Sequence, residues 1–185
     1  MKSEFEKMRS GELADFSDPE IQESFRHSRK LCVKLQTMTI HDDDYREVIG
    51  QLIPDLPASS TVCPPIQCDH GSSVVIAENV FINYNAMCIG GGYIRIGRHT
   101  LIGPNCQFYT PNHPMDYVER REEKEYAYPI TIGEDCWFGG NVTLLPGVTI
   151  GNRCIVAAGS VVTKDVPDDC MVAGNPATIK KRLNQ

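Results

Sequence analysis

One of the five histidines in this sequence stands in a setting suited to chemistry. His113 lies between Asn112 and Pro114, with Pro111 just upstream, in the stretch FYTPNHPMDYVERREEKEYAYP that runs from about residue 108 to 129. Imidazole exchanges a proton near neutral pH, so a histidine held in one orientation is suited to acid–base work. A loop histidine is commonly only solvated. The proline bracket and the place at the base of an excursion favour a positioned side chain here. The cysteines point the other way. They sit at 32, 63, 68, 88, 106, 136, 154 and 170, form no C-x-x-C pair, and have no partner spacing that marks a nucleophile. A chain of this size needs no disulfides, so they read as free thiols of a cytoplasmic protein. Neither Cys nor His spacing resembles a metal-ligand set, and no metal is expected.

A scaffold must hold that histidine, and its signature is a repeat. From Ile76 an aliphatic residue returns every six positions, with a small residue four places later. The frames read IAENVF, INYNAM, IGRHTL and IGPNCQ, then after a break IGEDCW, FGGNVT, LLPGVT, IGNRCI, VAAGSV and VTKDVP. A period of six fits neither the 3.6 of a helix nor the two of an alternating strand. It fits a short strand plus a turn, three of which close one triangular coil. The aliphatic side chain points into the prism, and the small one fits near the corner. Gly97, Gly103, Asn105, Gly133, Gly139, Asn141, Gly147 and Asn152 suit turns that need positive φ. Cys106, Cys136 and Cys154 fall at the small position, which explains them as packing. The fold expected is mainly β, a parallel β-helix with a small helical segment and one extended loop.

The flanks read differently. Ser17-Asp18-Pro19-Glu20 is an N-cap with proline in the first turn, and Ile21, Phe25, Leu31 and Leu35 then share a face. Residues 42–52 form a second short helix with acids at its start. These helices cap the β-helix or wall the acceptor pocket. The glycines of CIGGGYIRIG at 88–97 lack the dinucleotide-binding order and mark a tight corner. The boundaries expected are 1–57 for the helical segment, 58–179 for the β-helix with its excursion at 108–129, and 180–185 for a basic tail. Lys180, Lys181 and Arg182 in that tail are either solvated or placed for a cofactor phosphate. A net charge of −6 and a pI near 5.3 argue against general nucleic-acid binding. No apolar run approaches the roughly 20 residues of a bilayer span, and the N-terminus has no apolar leader core.

At this point the chain resembles the maltose/galactoside O-acetyltransferases of the hexapeptide-repeat group, whose coils wind left-handed, and the likeness covers nearly its whole length. It is carried by KMRSGELADFSDPE at the N-terminus, PPIQCDHG, FINYN, TPNHPMD, PITIGEDCWFGGNVTLLPGVTIG, and AAGSVVTKDVP with VAGNPA. The resemblance implies that a sugar hydroxyl attacks acetyl-CoA directly in a ternary complex, with His113 as general base and no acyl-enzyme. It implies that Asn83 contacts the acceptor and steadies the oxyanion. Asp15, Asp69 and Glu125 are the further acceptor-side residues it implies. On the coenzyme side it implies Trp137 against the pantetheine arm and Gly140 near the thioester. Ala158, Thr163 and Lys164 would then follow the arm and nucleotide, and Lys181 would meet the 3′-phosphate. For Trp137 simple packing stays open beside the ligand role. The family is trimeric, with active sites between subunits, so a homotrimer is expected.

Three positions depart from the family pattern. Gly91 stands where relatives carry an acceptor-binding aspartate, Ser24 where many carry an arginine, and Thr178 where a basic residue is frequent. They leave the acceptor open: another small hydroxyl, or an amine, is an alternative within the same chemistry. A non-catalytic assembly protein is the alternative outside it.

Overall fold

The computed structural model describes residues 2–184 and places the hexad frame in three parallel sheets that wrap one prism. The sheets have four, seven and five strands, and within each the strands run parallel along the prism. The seven-stranded sheet alone ends in an antiparallel strand. Equivalent residues stack in register. Ile82, Ile102, Phe138 and Val156 form one column, and Cys88, Phe108, Leu144 and Val162 form another. The winding is that of the left-handed hexapeptide-repeat β-helix. Every leading residue of the frame is buried, and so is every fifth-position residue. The thiols follow suit: Cys136 Sγ donates to the Gly151 carbonyl at 3.0 Å and Cys106 Sγ to Gly139 at 3.3 Å. All eight cysteines are free and buried.

The turns divide the work more finely than the sequence reading assumed. Asn105, Asn141 and Gly147 do take positive φ. At the fourth such turn Arg153 adopts it rather than Asn152, whose side-chain oxygen accepts from Glu134 N at 2.9 Å. Gly97, Gly103, Gly133 and Gly139 do not take positive φ, and Gly97 is needed for another reason. A Cβ there would lie 2.6 Å from the carbonyl carbon of Gly133 in the next coil, so only glycine lets the coils approach.

Two boundaries shift. Phe108 is fully buried in strand Gln107–Tyr109, so the excursion begins after Tyr109, not at 108. The excursion is also partly regular, with strands Pro111–Asn112 and Lys124–Ala127 pairing antiparallel. Residues 180–182 are exposed but form no free tail, because strand Ala177–Arg182 folds back antiparallel on Cys170–Gly174. Removing the excursion from the prism costs no register: Ile96 and Ile132 are direct neighbours across it.

Helices α1 (Glu4–Ser10), α2 (Pro19–Leu35) and α3 (Tyr45–Leu52) precede the strands. Asp18 caps α2, accepting from Glu20 N at 2.9 Å. Leu31, Leu35, Tyr45 and Ile49 join the prism core, and Tyr45 Oη donates to the Val62 carbonyl at 2.7 Å. The reading missed α1. Its signal was present as Ser3-x-x-Glu6, a capping box closed in both directions. Phe5 and Met8 of α1 pack with Ala14, Ile21 and Ala127 into a second small core beside the excursion. Among the described residues no helix is long and apolar enough to cross a membrane.

Candidate active site

Strand Lys124–Ala127 is the keel of the site. On one side it pairs with Ala14–Asp15, on the other with Pro111–Asn112, giving a three-stranded sheet outside the prism. This sheet walls a cavity of about 630 Å³ lined by Phe16, Ser17, Gln22, His113, Arg120 and residues 122–125. His113 is exposed at its rim. Arg120 ties the excursion back on itself there, its Nη1 donating to the carbonyls of Pro114 at 3.0 Å and Met115 at 3.2 Å. Sequence reasoning missed Arg120, Phe16 and Gln22. Nothing in a polar run distinguishes the one arginine that staples it.

The acceptor-side carboxylates fall in two environments. Asp15 accepts from both the amide and the hydroxyl of Ser17, at 2.9 and 2.6 Å, and these bonds hold its carboxyl below the usual range. Glu125 is only 9% exposed. Burial, then the charge of Asp69, pushes its carboxyl up to about 7. Asp69 is raised as well, chiefly by burial, although Gly90 N donates to it at 2.9 Å. Of these, Glu125 lines the cavity, whereas Asp15, Asp69 and also Asn83 do not. Asn83 follows strand Phe81–Ile82, and its Oδ1 accepts from Tyr84 N at 2.8 Å.

Of the residues expected on the coenzyme side, Trp137 and Lys181 lie on the seven-stranded sheet. Trp137, 57% exposed, is in register with Ile155, which is in register with Met171, which faces Lys181. Trp137, Ile155, Ala158 and Met171 border an apolar groove of about 260 Å³. Lys181 extends this row as a cation on the edge strand. Gly140 lies next to the groove residue Gly139, and its carbonyl accepts from Gly159 N at 3.0 Å. Thr163 and Lys164 are exposed beyond strand Val161–Val162 and do not line the groove. The groove and the His113 cavity share no lining residue within one chain. Burial pushes the Cys88 thiol up to about 12, which suits packing and not nucleophilic attack. Among the described residues no group of three or more His, Cys, Asp or Glu is arranged to hold a metal ion.

The three departures have local causes or partners. A Cβ at Gly91 would sit 2.0 Å from Met8 Sδ, so α1 fills the space a longer residue would need. Ser24 Oγ is bound to His70 Nδ1. Thr178 pairs with Ala173 in the closing hairpin.

Residues 129–164 match the pattern of the family described as hexapeptide repeat of succinyl-transferase. The galactoside O-acetyltransferase of Escherichia coli is 30% identical, over 97% of this chain and 89% of its own. A maltose O-acetyltransferase from Clostridium difficile superposes with a TM-score of 0.94 at 34% identity, covering 100% of this chain and 99% of that one. A hexapeptide-repeat acetyltransferase from Vibrio cholerae, solved with acetyl coenzyme A, superposes at 0.92 with 39% identity and 100% coverage of both chains. The chain thus belongs to the maltose/galactoside O-acetyltransferase family of hexapeptide-repeat, acetyl-CoA-dependent acyltransferases.

Proposed function

We propose that the protein transfers the acetyl group of acetyl-CoA to a hydroxyl of a small sugar of the maltose, glucose or galactoside type. The observation that carries this reading is His113 at the rim of a polar cavity, beside a chain that also bears an apolar groove leading to Lys181. His113 takes the proton of the sugar hydroxyl as its oxygen attacks the thioester carbonyl. The tetrahedral intermediate collapses with cleavage of the C–S bond. The thiolate of CoA leaves and recovers the proton from the imidazolium, giving the sugar acetate and free CoA. Asn83 donates to the developing oxyanion, and Asp15, Asp69 and Glu125 hold the acceptor. Trp137, Gly140 and Ala158 take the pantetheine arm, while Thr163, Lys164 and Lys181 reach the nucleotide end.

Because groove and cavity share no residue within one chain, the reading unites them across subunits of a homotrimer. Phe81, Leu101 and Trp137 form an exposed apolar row along the same sheet, suited to burial against another copy. Eight free thiols fit a reducing cytoplasm. The test is thiol release from acetyl-CoA with maltose, glucose and a galactoside, for the wild type and His113→Ala. Loss of about 100-fold or more in kcat is expected on the variant. Undiminished turnover would remove the general-base assignment.

A further inference from the structure

His113 opens a stretch that burial does not hold. Just beyond it Met115 is 88% exposed, and Tyr117 and Val118 are exposed as well, so these side chains anchor nothing. Upstream, the backbone is fixed by the ladder that pairs Asn112 with Tyr126. Downstream, that task falls to one side chain. Arg120 Nη1 donates to the carbonyls of Pro114 at 3.0 Å and Met115 at 3.2 Å, the two residues that follow His113. Pro114 has no N–H, so its carbonyl is the one backbone group through which it can be hydrogen-bonded. A short turn aims the guanidinium. Asp116 Oδ1 accepts from Val118 N at 2.8 Å and Glu119 N at 3.0 Å, and the Asp116 carbonyl accepts from Arg120 N at 3.0 Å.

We infer that Arg120 is a positioning residue: by gripping the two carbonyls after His113, it holds the imidazole in one orientation at the rim of the cavity. This rests on His113 being the base. Hydrogen bonds donated by a guanidinium are charge-assisted and stronger than neutral ones. With the ladder on one side of His113 and Arg120 on the other, the residue between them has little freedom to drift. Proton transfer needs base and hydroxyl within hydrogen-bond reach, and a misplacement of about 1 Å costs on the order of a hundredfold in rate. Arg120 is exposed, so its staple is weaker than a buried one and the loss on removing it is smaller. Arg121, next in the chain, supplies a comparison. Its guanidinium lies over the Tyr117 ring at 5.3 Å.

The experiment reads kcat and KM by thiol release from acetyl-CoA with maltose. It uses the wild type, Arg120→Ala, Arg121→Ala, His113→Ala and the double variant His113→Ala/Arg120→Ala. The His113 ring signals, identified by their loss in His113→Ala, are followed by proton–carbon NMR. Ile96 faces Ile132 across the excursion, so the prism register does not depend on the loop and the variants are expected to fold. Arg120→Ala should lower kcat about tenfold with both KM values within about twofold of wild type, and Arg121→Ala should leave kcat unchanged. In the His113→Ala background the Arg120 change should cost less than about twofold, because no imidazole is left to place. The ring signals should broaden or shift in Arg120→Ala and keep their places in Arg121→Ala. An equal loss in both backgrounds, a raised maltose KM with kcat intact, or unaltered ring signals would overturn the inference. Undiminished turnover by His113→Ala would instead remove the base reading, and the ring signals would still decide whether Arg120 orients His113.

Discussion

His70 Nδ1 lies 3.1 Å from Ser24 Oγ, and that contact ties the prism wall to α2. The ring sits against Phe5 of α1 at 5.2 Å and Phe25 of α2 at 6.0 Å between centroids. Its Nε2 has no hydrogen-bond partner among the described residues. Burial, then the positive charge of Arg9, holds the imidazole down to about 4. The folded chain therefore keeps His70 neutral where the unfolded chain, near 6.5, already takes up a proton. Stability from this site is full above pH 6.5 and is lost as the pH falls toward 4, by about 3 kcal/mol at most. Urea unfolding at pH 7.5, 5.5 and 4.5 checks it: the wild type should lose stability faster than His70→Gln. Parallel curves would show that His70 is not the group responsible.

The closeness of Gly91 to Met8 predicts a coupled pair. Gly91→Asp supplies the carboxylate that the family resemblance leads one to expect here, yet it drives a Cβ into Met8 Sδ. Alone it should cost about 1–3 kcal/mol through overpacking. Combined with Met8→Ala it should cost less than the sum of the two changes. A double-mutant cycle by thermal unfolding measures the coupling, and additivity would mean that α1 yields without strain.

Trp137→Ala and Lys181→Ala should both raise the KM for acetyl-CoA, with the acceptor KM little changed. They should differ in salt. An exposed cation acts through a field that salt screens within about 8 Å at physiological ionic strength, so the wild-type KM should rise with salt and that of Lys181→Ala, which keeps Lys180 and Arg182, should rise less. The Trp137→Ala defect should be nearly independent of salt, because it removes apolar contact. Steady-state kinetics at two chloride concentrations decides it.

Gly97→Ala tests the coil spacing. Its added methyl meets Gly133 backbone, which cannot swing aside as a side chain would. The change should lower the melting temperature markedly, whereas Gly159→Ala would meet no atom within 4 Å but would strain a φ of +72°. The first is a loss through packing, the second through backbone conformation.

The prism was legible because its signal repeats: ten leading positions each report the same inward direction, and all ten are buried. His113 is singled out by its prolines and its place at an interruption, and the structure puts it at the rim of the cavity. What escaped was set by contacts distant in sequence. Nothing local to Glu125 says that Asp69 and burial will lift its carboxyl, or that strand Ala14–Asp15 will flank it. The excursion reads as irregular because two-residue strands carry no period. The basic end reads as a tail because Lys180, Lys181 and Arg182 look solvated, and they are exposed even while their backbone is paired. Sequence alone gives no hint that cations here decorate a strand edge.

That closing hairpin has a further effect. A parallel coil presents unpaired amides and carbonyls at its ends, a template on which another coil could grow. Strand Ala177–Arg182 reverses direction on Cys170–Gly174 and lines that rim with three adjacent positive charges, while Leu35, Tyr45 and Ile49 from α2 and α3 plug the opposite mouth. The column is a stack stoppered at both ends, which blocks fibre formation by end-to-end addition and leaves association to its flat sides.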